Sequence, residues 1–300
     1  MRARSSSTKL RLAAVIVTVA AAAAIAILVA CPPLAPQRPS GAVSASGAKP
    51  GKPGGQTALA GVPQAQPRHP EPLGKLAVIL DDAGYSLSEL EPFLELPGPL
   101  TVAVLPGLPH STEAARRVLA AGKALILHCP MEAERGDDPG PGALRVGMTE
   151  LQIDRVLDAD FASVPGAAGM NNHMGSRATA DPALMEAALG YLKRTGRFFV
   201  DSRTTSDTVA PGIAEKLGVP FLQRNFFVDD ERSEKAIANA FQAGVQEAHA
   251  RGAAVVIGHV QNKGVLDILR AGQRELADNG VRLAWLSEML SDTRTGERIY

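Results

Sequence analysis

Six side chains able to move protons or hold a cation stand out along the chain, five of them in similar settings. Asp81 and Asp82 follow the apolar run 76–80, His128 follows 124–127, Asp201 follows 198–200, and His259 follows 253–258. His173 is expected in a polar, glycine-punctuated loop between elements, Gly169-Met170-Asn171-Asn172-His173-Met174-Gly175-Ser176-Arg177. Acids and histidines gathered in one place form a metal site or an acid/base site by composition. Imidazole nitrogen and carboxylate oxygen both bind divalent ions, and both take or give protons. Each residue alone has a plainer reading. Paired aspartates after a strand commonly cap a turn, and a single histidine is commonly satisfied by backbone groups. Recurrence at successive strand ends is what favours chemistry.

Those residues meet only if the elements before them share an edge. Short, continuous apolar runs read as strands buried on both faces, the kind found in parallel sheets. Helical stretches separate them. Ser86 starts a short helix before Pro97-Gly98-Pro99, and Ser111 or Thr112 caps a helix through Ala121 that Gly122 closes. Thr149 and Gln152 have capping-box spacing. Asp181-Pro182 opens a helix that Gly196 ends. Further helices are expected over 211–217, 233–250 and 264–278. The Gly- and Pro-rich loop 134–147 is expected to move or to face substrate. Asp229-Asp230 reads as a helix-start cap region, and His110 and His249 lack a strand-end setting. Seven or eight βα units from residue 74 to 300 make one α/β domain of barrel size, with all strand carboxyl ends on one edge.

The formal charge is zero, yet residues 1–30 carry Arg2, Arg4, Lys9 and Arg11 and no acid. The rest of the chain is therefore net acidic. No basic stripe marks a nucleic-acid footprint, so a nucleic-acid partner is not expected. The apolar stretch 12–30 behind the basic residues reads as a membrane anchor or signal over 1–31. Three fates are open: an uncleaved anchor, lipidation at Cys31 after Leu28-Val29-Ala30, and cleavage to a free protein. Each places the folded part outside the cytoplasm, in the periplasm or cell envelope. Residues 32–73 are rich in Pro, Gly, Ala, Ser and Gln and read as a disordered linker.

Five segments together resemble the divergent polysaccharide deacetylase family, related to the NodB-type carbohydrate esterases. They are Ile79-Leu80-Asp81-Asp82-Ala83-Gly84, His128-Cys129-Pro130-Met131-Glu132, the Asn171-to-Arg177 stretch, Val200-Asp201-Ser202-Arg203-Thr204, and Ile257-Gly258-His259. The resemblance implies a distorted seven- to eight-stranded (β/α) barrel over 74–300. It implies Asp81 as general base, Asp82 as metal ligand and His259 as general acid. The related enzymes draw two more ligands from a His-x-x-x-His motif, where this chain has His173 and then Arg177. His128 is our candidate for the missing ligand, and His259 is an alternative. Asp201, Arg203, Arg177 and Asn172 are expected to orient or neutralise these groups. The implied cofactor is a divalent metal, zinc by ligand type. The implied substrate is an N-acetylated polysaccharide or peptidoglycan, approached by a domain tethered to the membrane. The competing expectation is a catalytically inactive envelope protein that binds a glycan or a partner on the same fold.

Overall fold

A computed structural model describes residues 74–294. The anchor or signal expected over 1–31 and the linker over 32–73 lie outside the described residues. The strands are β1 (Gly74–Ala83), β2 (Thr101–Val104), β3 (Ala124–Met131), β4 (Gly169–Met174), β5 (Phe198–Asp201), β6 (Phe221–Gln223), β7 (Phe226–Phe227), β8 (Ala253–His259) and β9 (Val281–Leu283). The helices are α1 (Leu87–Leu94), α2 (Ser111–Ala120), α3 (Glu150–Ser163), α4 (Pro182–Thr195), α5 (Ala210–Leu217), α6 (Glu234–Arg251), α7 (Lys263–Ala271), α8 (Gln273–Asp278) and α9 (Leu286–Arg294).

The strands form one sheet in the order β6-β5-β4-β3-β2-β1-β8-β7, and β9 pairs with the first three residues of β1. Every pairing is parallel. The two outer strands are halves of one extended segment broken at Arg224-Asn225. Arg224 N–H donates to the Asp201 carbonyl of β5 at 2.9 Å, while Asn225 N–H donates to the Val255 carbonyl of β8 at 2.8 Å. The chain itself thus spans the gap, and the curled sheet becomes a distorted barrel.

Alternation sorts the strand side chains into two cores. Leu76, Val78 and Leu80 of β1 pack outward with Leu125, Leu127 and Val256 under the helices. Ala77 and Ile79 face inward with Ile126, Val200, Val255 and Ile257. Leu286, Met289 and Leu290 of α9 join this inner core. They follow β9, and so enter from the end opposite Asp81. The carboxyl end is left for polar residues.

The longest helix among the described residues, α6, shows why the outer layer closes. Ile237, Phe241, Val245 and Ala248 recur at helical spacing and are all buried. Full burial of a side chain such as Phe241 stabilises by about 2–3 kcal/mol. Gly244 lies on the same stripe, and a Cβ there would stand 2.5 Å from Val256 Cγ1. Glycine lets the helix lie this close to β8, and a larger residue would push the two apart.

Helix ends largely follow local chemistry. Thr149 and Gln152 form the reciprocal capping box, and the Asp181 side chain accepts from Leu184 N–H. Elsewhere packing overrides it. His110, not Ser111 or Thr112, holds the N-cap position of α2, because the Ser111 hydroxyl is drawn to the Leu105 carbonyl at 2.6 Å. The single helix expected over 264–278 is two helices meeting at Gly272. The loop 134–147 is fastened at its far end, where Leu144 is buried and bridges to Met131.

Candidate active site

Adjacent residues on a regular strand point to opposite faces, so Asp81 and Asp82 should not share a site. A bulge lets them. Leu80 pairs with Val102 and Ala83 with Val104, so β1 carries one residue more than β2 across this interval. Asp82 sits inside the bulge at φ 63, a left-handed conformation rare outside glycine. Its carboxylate is thereby turned toward the imidazole that Asp81 also faces. His128 Nε2 lies 3.7 Å from Asp81 Oδ2 and 3.1 Å from Asp82 Oδ1. Met174 at φ 54 and Arg203 at φ 48 are strained in the same way, next to the ends of β4 and β5. Such strain concentrates at functional sites.

His128 projects inward from β3, two residues beyond Ile126, and is 2% exposed. The stretch expected as a loop is instead strand β4 over Gly169–Met174, held by parallel pairing with β3 and β5, and His173 projects inward from it. Its Nδ1 lies 3.0 Å from Asp82 Oδ1 and 3.0 Å from His128 Nε2. Two nitrogens and one oxygen therefore form a near-equilateral triangle. Asp82 Oδ1 is buried, yet no neighbour is aligned to hydrogen-bond to it. A buried carboxylate oxygen flanked by nitrogens that do not donate to it is what a cation site requires. Tetrahedral zinc with bonds of 2.0–2.1 Å separates its ligand atoms by about 3.3 Å. The triangle matches this to within a few tenths of an ångström, so the residues fit a divalent ion.

Asp81 is 2% exposed, and burial raises its carboxyl above the ordinary range against the pull of His128 and His259. Asn171, also inward on β4, donates from Nδ2 to Asp81 Oδ1 at 2.8 Å and lies with Oδ1 2.8 Å from His128 Nδ1. Its Nδ2 also lies 3.3 Å from Ser202 Oγ.

On the other side of β1, His259 is the register partner of Asp81. Asp229 holds it with both oxygens: Oδ1 lies 3.0 Å from Nδ1, and Oδ2 accepts from the His259 backbone N–H at 3.2 Å. Phe227 stacks on the imidazole with centroids 5.8 Å apart, and the Arg224 guanidinium lies 3.8 Å from the centre of the Phe227 ring. Burial opposes the imidazolium, but Asp229, Asp81 and Asp82 prevail and push its pKa up to about 9. His259 therefore carries a proton at neutral pH.

The structure brings Asp81, Asp82, His128 and His173 together, with His259 beside Asp81. It places the other sequence candidates elsewhere. Arg177 extends to Glu132 Oε1 at 3.0 Å and lines an open cavity of about 280 Å³ with Glu134, Ser176, Asp181 and Thr205. Asn172 braces the backbone, donating to the Met174 carbonyl at 2.7 Å and accepting from Ser202 N–H at 2.8 Å. Asp201 is buried on the outer side of β5, where it accepts from Thr208 Oγ1 and Arg203 N–H, each at 2.7 Å. Arg203 gives its carbonyl to Arg224, whose Nη2 is 2.9 Å away.

Two residues at this edge had another reading or none in the sequence. Asp229 is not a helix cap, because α6 starts later and is capped by Ser233. Its signal was its place just past the strand run Phe226-Phe227, the same setting as the other candidates. Asn171 rather than Asn172 faces the cluster, and parity with His173 marks it, since residues two apart share a face.

The sequence model of the divergent polysaccharide deacetylase family matches residues 78–290. A relative described as an uncharacterised protein of Haemophilus influenzae is 34% identical over 218 residues, which cover 71% of this chain and 78% of that one. The protein YibQ of Escherichia coli, also described as uncharacterised, is 34% identical over 186 residues, and the match spans 62% of this chain and 58% of that protein's length. Among solved structures, the uncharacterised protein ATU2773 of Agrobacterium tumefaciens superposes with a TM-score of 0.68 at 19% identity, covering 72% of this chain and 89% of that one. The last likeness shows a shared fold. With the family model spanning strands β1 to β9, the chain belongs to the divergent polysaccharide deacetylase family.

Proposed function

We propose that the protein is an extracytoplasmic, metal-dependent hydrolase that removes N-acetyl groups from a cell-wall or extracellular polysaccharide. The observation that carries this reading is the triangle of Asp82 Oδ1, His128 Nε2 and His173 Nδ1, with sides of 3.0–3.1 Å around an oxygen that accepts no aligned hydrogen bond. Family membership supports the substrate class. The extracytoplasmic location rests on the basic and apolar segments of residues 1–30.

Asp82, His128 and His173 would hold the ion, zinc by their donor types. A divalent ion there supplies Lewis acidity to an acyl oxygen and lowers the pKa of water toward 7. Asp81, buried beside this position with a raised pKa, accepts the proton of the attacking water. His259, charged at neutral pH, gives its proton to the departing amine. Asp229 keeps the imidazole oriented through this transfer. Replacement of the second motif histidine by Arg177 leaves three ligands in place, because His128 comes from the neighbouring strand β3. The cavity beside Arg177 and the exposed Tyr85 just past β1 offer polar and aromatic surface for sugar rings at the same edge.

Arg177 also motivates a second reading, a glycan- or partner-binding protein without turnover. One experiment separates the two. The purified full chain should hold close to one equivalent of divalent metal and release acetate from N-acetylated glycans. The double variant Asp82→Ala/His173→Ala should lose both. Metal retained at the wild-type level by the double variant would overturn the metal centre. Glycan binding without acetate release by metal-loaded protein would establish the second reading.

A further inference from the structure

We propose that Asn171 is a positioning residue that fixes which nitrogen of His128 faces the metal centre and which oxygen of Asp81 is left to take a proton. The inference rests on reading Asp82, His128 and His173 as that centre.

The amide of Asn171 has only one orientation that satisfies its neighbours. Its two N–H groups face Asp81 Oδ1 at 2.8 Å and Ser202 Oγ at 3.3 Å. Ser202 has no proton to return, because its hydroxyl donates to the Asn172 carbonyl at 2.9 Å. Flipping the amide would set a carbonyl against a carboxylate and against this engaged hydroxyl. Neither contact could then be a hydrogen bond. The Asn171 oxygen must therefore face His128 Nδ1, 2.8 Å away.

That oxygen is only an acceptor, so Nδ1 must carry the proton. In the neutral imidazole, Nε2 is then left with its lone pair. Nε2 is the atom aimed at Asp82 Oδ1 and His173 Nδ1, at 3.1 and 3.0 Å. A hydrogen bond to the other nitrogen commonly sets which one binds metal. The same amide occupies Asp81 Oδ1 and leaves Oδ2, which lies toward His128 Nε2 at 3.7 Å. One fully buried side chain thus selects the ligand atom and the basic atom together.

The test reads the tautomer directly. Metal-free full chain labelled with 15N-histidine is measured by long-range 15N–1H correlation, at a pH alkaline enough to leave His128 neutral. The His128 signal is assigned by its loss in His128→Gln. Wild-type His128 is expected in the Nδ1–H form, with the Nε2–H form dominating in Asn171→Leu. Zinc affinity, read by chelator competition, should fall about 10- to 100-fold in Asn171→Leu. Asn171→Asp keeps an acceptor for Nδ1–H and should hold affinity within a few-fold, while losing the donor to Asp81. An Nε2–H form in the wild type would overturn the proposal, as would unchanged tautomer and affinity in Asn171→Leu. The wild-type measurement decides even if the leucine variant does not fold. Absence of acetate release would count against the deacetylase reading and leave the tautomer result standing.

Discussion

Asp229 grips His259 at two points, its Oδ1 3.0 Å from the ring Nδ1 and its Oδ2 accepting from the same residue's backbone N–H at 3.2 Å. The carboxylate is 3% exposed and the imidazole 35%, so a buried charge supports a ring that opens onto the site. In the proposed mechanism this pair sets the alkaline limit of activity. A general acid must be protonated, and His259 keeps its proton up to a pH of about 9. Asp229→Asn removes the charge and returns the imidazole toward 6.5. The alkaline limb of kcat should move down accordingly, with activity at pH 8 falling about 10- to 30-fold and activity at pH 6 changing far less. The linkage to folding has a matching sign. A raised histidine pKa adds stability that is complete below the unfolded value of 6.5 and is lost as pH rises through about 9. A pH–rate profile of both proteins checks this, and superimposable alkaline limbs would refute it.

Asp81 and Asp82 are neighbours in sequence, and the proposed mechanism gives them separable roles. Asp81 Oδ2 stays 3.7 Å from His128 Nε2, outside the triangle that Asp82 Oδ1 completes. Asp81→Asn should lower kcat about 10²- to 10⁴-fold, the usual scale for a lost general base. Metal content should stay near the wild-type level. Elemental analysis of the variant alongside its turnover tests both halves, and loss of the metal would merge the two roles.

Arg177 stands where the related enzymes have a ligand, yet it should be dispensable for metal binding. The backbone N–H groups of Arg177 and Ala178 both donate to the Glu132 carbonyl, at 3.2 and 3.1 Å, and the guanidinium continues to the Glu132 carboxylate. Arg177→Ala should change zinc affinity by less than about threefold, against at least about 100-fold for His128→Ala. Arg177→His should not tighten binding, because position 177 is tied beside the end of β3. The stability cost should stay within about 1 kcal/mol, since the ion pair is half exposed. Chelator competition and denaturant titration measure both quantities.

The parallel arrangement was legible in the sequence because each apolar run is short, continuous and followed by a helix. Reading those runs as strands puts Asp81, His128 and His259 on one edge. The bulge at Asp82 was not legible, since a left-handed aspartate has no local signature and arises from pairing with Thr101–Val104. The partner of His259 was hidden for a similar reason. Phe226–Phe227 is a strand only because β8 pairs with it, so the following Asp229 looked like a turn acid. The inward face of β4 was hidden too, because its polar residues read as a loop; only pairing with β3 and β5 makes 169–174 a strand, on which the parity of His173 selects Asn171. Local pattern finds strand ends, whereas bulges and pairings across the barrel depend on distant residues.

Asp160 predicts a pH dependence of stability unconnected with catalysis. It is 5% exposed on α3, its Oδ2 has no hydrogen-bond partner, and a Cβ at Gly142 would stand 2.2 Å from its Oδ1. The loop 134–147 therefore closes over a carboxyl group, and burial pushes its pKa up to about 8. In the unfolded chain the same group titrates near 3.9. Between these values the folded state binds more protons, so stability falls as pH rises from about 4 to about 8 and then levels off. The difference corresponds to a loss on the order of 5 kcal/mol. Asp160→Asn keeps the shape, removes the ionisable group and should flatten that slope. The variant should gain several kcal/mol over the wild type at pH 9 and show little gain near pH 4. Gly142→Ala should destabilise at both pH values, since it adds a clash and an unfavourable φ of +74°. Urea denaturation of the three proteins across this range provides the measurement. Parallel pH curves for wild type and Asp160→Asn would show that the carboxyl is not buried in its neutral form.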